Sequence, residues 1–185
     1  TLKHDFIDTG QHYDADMSKN LYSNLRIKKP LRNLNSGKLD PSRQISHIID
    51  SLSLVLSEIQ PRLILVYGDT NSTLGSAIAA NKMGFKVGHI EAGLRSYNKA
   101  MSEEINRVCT DYISDYLFAP TVNAYENLQK EGLAGKSIMS GDVMLDIATN
   151  FLNNKDSYTT RTNEILLTLH RKENVDNIEI GRAHV

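Results

Sequence analysis

The chain has 185 residues, a formal net charge of −1 and 40% hydrophobic residues. This length allows one large domain or one domain with part of a second, and the apolar fraction is sufficient for a packed core. A net charge near zero gives no electrostatic reason to expect nucleic acid as a partner. No apolar run reaches the length of about 20 residues that a membrane span needs, so we expect no membrane partner either.

The single cysteine, Cys109, excludes an intrachain disulfide framework and is typical of a protein of the reducing cytoplasm. It falls in a predicted helix, where we expect a buried, inert thiol.

The first 60 residues predict a strand, a helix, a polar loop and a long helix. Leu2–Asp8 reads as a strand that leads into Thr9-Gly10-Gln11-His12, and a helix follows from about Asp14 to Asn24. Residues 28–39 form a polar loop. Asp40 and Pro41 then begin a helix with apolar residues at helical spacing, and Pro61 ends it.

The central segment, 66–107, is the part around which the chain is organised. Two short apolar runs, Leu63–Tyr67 and Lys86–Ile90, flank the small-residue helix Asn71–Met83, which is the pattern of a βαβ unit. Asp69 and Glu91 follow the two strands. Ligands of open parallel sheets bind beyond the carboxyl ends of the strands, so we expect both carboxylates on one crevice.

The alternation continues to the end of the first domain, so the fold class is α/β with a doubly wound parallel sheet. The further predicted elements are a helix from Ser102 to about Ile113, a strand Tyr116–Ala119, a helix capped by Thr121 and ending near Gly132, a strand Ser137–Ser140, and a helix Asp142–Phe151.

We divide the chain into an N-terminal Rossmann-like domain over 1–152 that lacks its first βα unit, a linker over 153–163, and the start of a truncated nucleotide-binding domain over 164–185. The last six residues, 180–185, do not continue the helical pattern before them. One reading frame of sequencing-adapter DNA encodes the same six residues, and our hypothesis is that they are foreign. We therefore expect a fragment of a longer protein.

Several charged side chains near the strand ends could carry chemistry. The carboxylates Asp69, Glu91 and Glu103 could exchange protons, and a diphosphate could be neutralised by cations. Two structural alternatives stay open: Asp69 could cap the helix that follows it, and Glu103 could be a first-turn acid paired with Arg107 four residues later. The candidate cations are Arg95, Arg107, His170 and Arg171.

Other classes of site have no support in the sequence. No spacing of His, Cys and Asp forms a metal site. The chain has no GxGxxG, Walker A or GxSxG motif, so nicotinamide, P-loop and serine-hydrolase functions are not indicated.

At this point the sequence resembles a known family. Five motifs occur in the same order as in the non-hydrolysing UDP-N-acetylglucosamine 2-epimerases: TGQH at 9–12, GDTNSTL at 68–74, HIEAGLRS at 89–96, EEINR at 103–107 and LHRKEN at 169–174. The resemblance extends to about residue 177. It implies two Rossmann domains of the glycosyltransferase-B type, of which the second is truncated here, with a UDP-sugar bound between them.

The resemblance also implies the reaction and the residues. The reaction is inversion of C2 of UDP-GlcNAc to UDP-ManNAc, by elimination of UDP and its re-addition, without a cofactor. We assign residues by motif and expect a homodimer at full length. The assigned catalytic residues are Asp69, Glu91, Glu103 and His170, with His170 near the diphosphate. The assigned substrate-binding residues are Gln11, His12, Thr70, Arg95, Arg107 and Arg171, with Arg95 and Arg107 in a positioning or structural capacity.

Regulated bacterial members bind a second UDP-GlcNAc beside the active site. The residues that correspond to this regulatory site are Gln11, His12, Arg43 and Gln44. Tyr13 and Asp14 replace a basic and an amide residue there, and the carboxylate of Asp14 would repel a second diphosphate.

Four alternatives remain open. The substrate could be a UDP-2,3-diacetamido-uronic acid, which the change at residues 13 and 14 mildly favours. The enzyme could be a hydrolysing epimerase that releases free ManNAc. It could belong to a different class, a glycosyltransferase of the same architecture. The 185-residue piece alone could also be a nucleotide-sugar-binding remnant without turnover.

Overall fold

The structure is a computed structural model that describes residues 3–11 and 28–153. The chain divides into two compact units, 1–147 and 148–185. The predicted helix from Asp14 to Asn24, the linker from residue 154 onward and the predicted second domain lie outside the described residues.

A short parallel strand pair begins the described fold. Strand β1 (Ile7–Asp8) pairs with β2 (Arg32–Asn33). The predicted strand Leu2–Asp8 is therefore confirmed only at its last two residues. The polar loop predicted over 28–39 was wrong at β2, because an Arg-Asn pair carries no apolar alternation that would indicate a strand.

Helix α1 (Pro41–Ile59) has the predicted ends. The side chain of Asp40 accepts a hydrogen bond from the backbone N–H of Arg43, and Pro41 occupies the first turn, where a missing N–H has no cost. At the other end Gln60 adopts a left-handed conformation (φ +49°), and Pro61 follows.

A four-stranded parallel sheet forms the main body of the first unit. Its strands follow the chain order β3-β4-β5-β6, which confirms the predicted α/β class with a parallel sheet. The elements are β3 (Leu63–Tyr67), α2 (Asn71–Lys82), β4 (Lys86–Ile90), α3 (Ser102–Ile113), β5 (Tyr116–Ala119), α4 (Val122–Lys130), β6 (Ser137–Met139) and α5 (Val143–Asn153).

Only one face of this sheet is covered within the described residues. Val66, Val87 and Leu117 point into the core beneath the helices and are buried. The strand register places the alternate side chains on the opposite face, where most of the large apolar ones are exposed. The exposed apolar residues of this face are Leu63, Leu65, Tyr67, Tyr116 and Ile138. No described helix is long and apolar enough to cross a membrane.

Helix α3 has an unusual inward face, which is polar. The residues that it buries are Glu104, Asn106, Arg107, Thr110 and Asp111. Its apolar side chains Ile105 and Tyr112 are exposed instead, and Cys109 lies exposed between them. Our expectation of a buried cysteine was therefore wrong, because the face that this helix buries consists of hydrogen-bonding and charged side chains.

Gly93 lies in the loop after β4 at φ +83°, and a Cβ atom there would overlap the carbonyl oxygen of Ala124 and lie 2.7 Å from Cγ of Leu128. Gly84 has the same kind of backbone conformation (φ +81°) but open space around it. A comparison of substitutions at the two glycines therefore distinguishes the cost of backbone strain from the cost of steric overlap.

We predict that Gly93→Ala lowers the free energy of unfolding by about 3 kcal/mol, since left-handed strain and overpacking add. Gly84→Ala should cost only about 1 kcal/mol, from strain alone. Urea unfolding of both variants, followed by circular dichroism, measures the difference. Equal losses would contradict the close packing of Gly93 on α4.

Candidate functional site

Two carboxylates lie at the carboxyl ends of neighbouring strands. Asp69 follows β3 through Gly68 (φ +67°), and Glu91 follows β4. The N–H of Gly68 donates to the carbonyl of Ile90 at 3.1 Å, which holds the two turns side by side. Glu91 has φ +73°, a left-handed conformation that is uncommon for a residue with a side chain and that recurs at functional sites.

The guanidinium of Arg107 lies between these carboxylates. Its Nη2 atom is 2.6 Å from Oδ2 of Asp69 and 3.7 Å from Oε2 of Glu91. The Arg107 side chain is only 8% exposed, and its Nε–H has no hydrogen-bond partner within the described part of the chain. One cation thus joins two acids and keeps a donor free. The alternative in which Asp69 caps α2 was wrong, and Arg107 pairs with Asp69 rather than with Glu103.

Burial raises the pKa of the Glu91 carboxyl, and the nearby charges of Asp69 and Asp142 raise it further, while Arg107 opposes the shift. A raised pKa makes a carboxyl better suited to take up and return a proton than a carboxyl with the usual pKa. Asp142, at the start of α5, was not anticipated from the sequence.

The two adjacent glutamates of α3 have different surroundings. Glu103 is exposed in the first turn and accepts a hydrogen bond from Oγ of Ser102. Glu104 is buried and accepts hydrogen bonds from Ser96 N, Ser96 Oγ and Tyr97 N. Burial alone would raise the pKa of Glu104, but these hydrogen bonds together outweigh it and lower the pKa. Glu104 therefore holds the loop after β4, and Glu103 remains open to solvent.

A fully buried histidine supports both strand ends from behind. The imidazole of His89, on β4, lies 2.7 Å from the carbonyl oxygen of Gly68 through Nε2 and 2.7 Å from Oδ1 of Asp111 through Nδ1. Asp111 is also fully buried and accepts a hydrogen bond from the N–H of Gly93. His89 thereby connects the turn that carries Asp69 with the loop that follows Glu91.

Arg95 belongs to the same buried network. Its side chain is 1% exposed, its Nη2 lies 2.7 Å from Oδ2 of Asp111, and it forms a two-point contact with Glu131 at 2.7 and 2.8 Å. Burial alone would lower the pKa of Arg95, but the two carboxylates outweigh this effect and raise the pKa above its usual value. The guanidinium of Arg95 is enclosed and its donors are engaged within the protein, which is a positioning or structural role, and a contact of Arg95 with the substrate stays a prediction.

Two residues assigned to substrate binding hold the first turn of α2. Thr70 is the N-cap, with a reciprocal capping box to Thr73. Gln11 accepts hydrogen bonds from Ser72 N at 3.1 Å and from Ser72 Oγ at 2.6 Å. Both side chains satisfy groups of the protein, a structural role that the assignment did not anticipate.

Arg43 and Gln44, two of the residues that correspond to a regulatory site, have different surroundings in the structure. Arg43 is exposed and lies 3.4 Å from Oδ2 of Asp40. Gln44 is buried, donates to the carbonyl of Ser36 and accepts from Asn71 Nδ2. We correct the expectation for Gln44, because its amide bonds within the protein and has little surface to offer a second ligand.

Comparison with known proteins places this geometry in a family. The family model described as UDP-N-acetylglucosamine 2-epimerase matches residues 1–183. The chain belongs to the UDP-N-acetylglucosamine 2-epimerase family.

Named relatives agree with this membership. The chain is 43% identical to a UDP-N-acetylglucosamine 2-epimerase of Methanococcus maripaludis, over 97% of this chain and 52% of the relative. It is also 43% identical to a UDP-2,3-diacetamido-2,3-dideoxy-D-glucuronate 2-epimerase of Pseudomonas aeruginosa, over 96% of this chain and 52% of that protein.

A solved structure of the UDP-GlcNAc 2-epimerase of Methanocaldococcus jannaschii, in complex with UDP-GlcNAc and UDP, matches with a TM-score of 0.79 and 39% identity. The match covers 92% of this chain and 50% of that one. This epimerase-family chain thus spans about half the length of the relatives that it matches.

The structure brings together three of the residues that we assigned by motif, namely Asp69, Glu91 and Arg107. His12, His170 and Arg171 lie outside the described residues, so their assignments stay predictions. Within residues 3–11 and 28–153, no group of three or more His, Cys, Asp or Glu side chains could hold a metal ion.

The sequence analysis assigned no role to several buried polar members of the same motifs. His89 precedes Glu91 by two residues, and Asn71 and Asn106 neighbour Asp69 and Arg107 in the structure. The alternation of β4 was the one usable signal, because it places His89 on the same face as the buried Val87.

We predict that Arg95→Met lowers the free energy of unfolding by about 3–5 kcal/mol, because it leaves the buried carboxylate of Asp111 without its arginine partner. Arg43→Met is the matched control. The Arg43 side chain is 81% exposed, and loss of its pair should cost less than about 1 kcal/mol. Urea denaturation measures both variants, and equal small effects would contradict a supporting role for the buried network.

We predict that Glu91→Gln raises the free energy of unfolding at pH values above the usual pKa of a glutamate. A pKa raised by folding means that the folded state holds the proton more tightly, so wild-type stability falls as pH rises from the unfolded-state pKa through the folded-state pKa. The gain of the variant should be present at pH 8 and vanish at pH 4. Thermal unfolding at the two pH values tests this, and a gain confined to pH 4 would contradict the direction of the shift.

Proposed function

We propose that the protein to which this chain belongs converts UDP-GlcNAc to UDP-ManNAc by inverting C2. The observation that carries the proposal is the arrangement of Asp69 and Glu91 around the guanidinium of Arg107. It supplies two carboxylates and a cation at the edge of the sheet where ligands of parallel α/β folds bind. The M. jannaschii relative, bound to UDP-GlcNAc and UDP in its solved structure, supports a UDP-sugar as the substrate class.

The C2 proton of the sugar is not acidic, so the proposed reaction proceeds by elimination. A carboxylate takes the C2 proton, the bond from C1 to the UDP oxygen breaks with its electron pair leaving on UDP, and a C1–C2 double bond forms. UDP then adds back to C1, and a proton is delivered to the opposite face of C2. Both steps together change only the configuration of C2.

The described side chains are suited to different parts of this cycle. Glu91, with its raised pKa and 44% exposed side chain, is suited to proton exchange with the substrate. Asp69 is held by the 2.6 Å contact with Arg107 and presents a fixed negative charge. Arg107 places a positive charge beside both carboxylates. Glu103, open to solvent at the start of α3, remains our third candidate, and His170 remains the candidate partner of the diphosphate.

A second substrate has an observation in its favour. The P. aeruginosa diacetamido-uronate epimerase is as similar to this chain as the M. maripaludis UDP-GlcNAc epimerase, at 43% identity each. Sequence identity over half of each relative does not show which of the two sugars is the substrate. Only direct comparison of both sugars as substrates does so.

The test uses the full-length gene product in D2O with each UDP-sugar, followed by proton NMR. The proposal expects UDP-ManNAc carrying deuterium at C2, and no free sugar. Conversion of the diacetamido sugar alone would select the second substrate, free ManNAc would select a hydrolysing epimerase, and UDP release that requires an acceptor would select a glycosyltransferase. We expect no turnover by the 185-residue chain alone.

We predict that Asp69→Asn and Glu91→Gln each lower kcat of the full-length protein by about 10²–10⁴-fold, since each removes a group that exchanges or stabilises charge at C2. Glu126→Gln, a matched change at an exposed position of α4, should leave kcat unchanged. Rates from the NMR assay decide. Full activity of both site variants would refute the assignment of the two acids.

A further inference from the structure

A row of three side-chain amides connects α1 with the turn that carries Asp69. Asn106 donates from Nδ2 to the carbonyl oxygen of Asp69 at 3.0 Å and to Oδ1 of Asn71 at 3.1 Å. Asn71 donates to Oε1 of Gln44 at 2.8 Å, and Gln44 donates to the carbonyl oxygen of Ser36 at 3.1 Å. We call Asn106, Asn71 and Gln44 the amide relay.

The relay has one possible direction. It begins on the carbonyl of Asp69 and ends on the carbonyl of Ser36, and both of these groups only accept. Asn71 and Gln44 must each accept through oxygen and donate through nitrogen, which among the charged and polar side chains of similar shape only an amide does. Gln44 and Asn106 are 7% and 4% exposed, so water cannot readily replace a lost donor.

The end of the relay acts on Asp69 together with Arg107. Asn106 and Arg107 are consecutive residues of α3, and they contact the two ends of the same aspartate. Asn106 binds its backbone carbonyl, and Arg107 binds its carboxylate at 2.6 Å. Rotation of the Asp69 turn would break both contacts.

We propose that Asn106, supported by Asn71 and Gln44, is a positioning residue that sets the direction of the Asp69 carboxylate toward the substrate. This inference rests on the proposed function, in which Asp69 acts at C2. A misdirected carboxylate slows the chemical step more than it weakens binding, because small misplacements of a reacting group cost much in rate. The effect should decrease along the relay, from Asn106 through Asn71 to Gln44.

The kinetic test compares single variants of the full-length protein. Asn106→Leu removes both donors without adding charge, and Asn106→Asp removes them with added charge. We expect kcat to fall about 10–100-fold in both, with KM within about threefold of wild type and an unchanged pH profile in Asn106→Leu. Gln44→Glu should show a smaller loss of kcat. A loss confined to Asn106→Asp would show a charge effect and overturn the proposal.

The matched control is Asn81→Asp, at the other end of α2. It also removes an amide donor, which bonds the carbonyl of Ile113 at 3.0 Å, but it has no connection to Asp69. We expect wild-type kcat. In the double variant Asn106→Leu with Gln44→Glu, the loss should be smaller than the product of the single losses, since one broken link already frees the turn. Multiplicative losses would overturn the relay.

A second measurement does not depend on turnover. In the full-length protein, hydrogen–deuterium exchange of the segment 66–74 should be faster in Asn106→Leu and Gln44→Glu than in wild type and unchanged in Asn81→Asp. Unchanged exchange in both relay variants overturns the inference. If the wild type turns over neither sugar, the proposed function fails while this measurement still decides the relay. If the wild type turns over and all relay variants match it, the relay alone fails.

Discussion

Two negative charges at adjacent strand ends repel each other, and the guanidinium of Arg107 makes their proximity possible. Parallel strands bring Asp69 and Glu91 to the same edge of the sheet, whatever the cost of placing two acids there. Arg107 compensates this cost unequally, since it lies 2.6 Å from one acid and 3.7 Å from the other. The acids therefore differ in character: Asp69 is held as an ion pair, and Glu91 retains a raised pKa.

Buried polar groups maintain this arrangement from two sides. Behind β4, the His89–Asp111 contact connects the Gly68 carbonyl with the loop after Glu91, and Arg95 balances the charge of Asp111. Beside α2, the amide relay fixes the backbone of Asp69. Buried hydrogen bonds of this kind add little net stability, but breaking one of them leaves a buried polar group without a partner. Other arrangements of the site are therefore unfavourable.

The elements and the approach of Asp69 to Glu91 could be predicted because they depend on local patterns. The apolar runs of β3 and β4, the capping signal Asp40-Pro41 and the rule for parallel strand ends were sufficient for the sheet and for the meeting of Asp69 with Glu91. The partners of charged side chains could not be predicted in this way. Arg107 had a local candidate in Glu103, but it pairs with a residue 38 positions away, and the acids that enclose Arg95 come from α3 and from the residue after α4. Strand β2 was missed because two polar residues carry no periodicity.

Helix α3 shows what such an arrangement implies for evolution and design. Most helices attach to a domain through apolar side chains, so a site can be altered on an intact scaffold. Here the attaching face consists of Glu104, Asn106, Arg107, Thr110 and Asp111, which also form the site and its supports. Fold and chemistry thus share the same atoms in this helix. A substitution that alters the candidate site will also weaken the packing of the helix, and a replacement of this face by leucines, which would strengthen packing elsewhere, would here remove the candidate site.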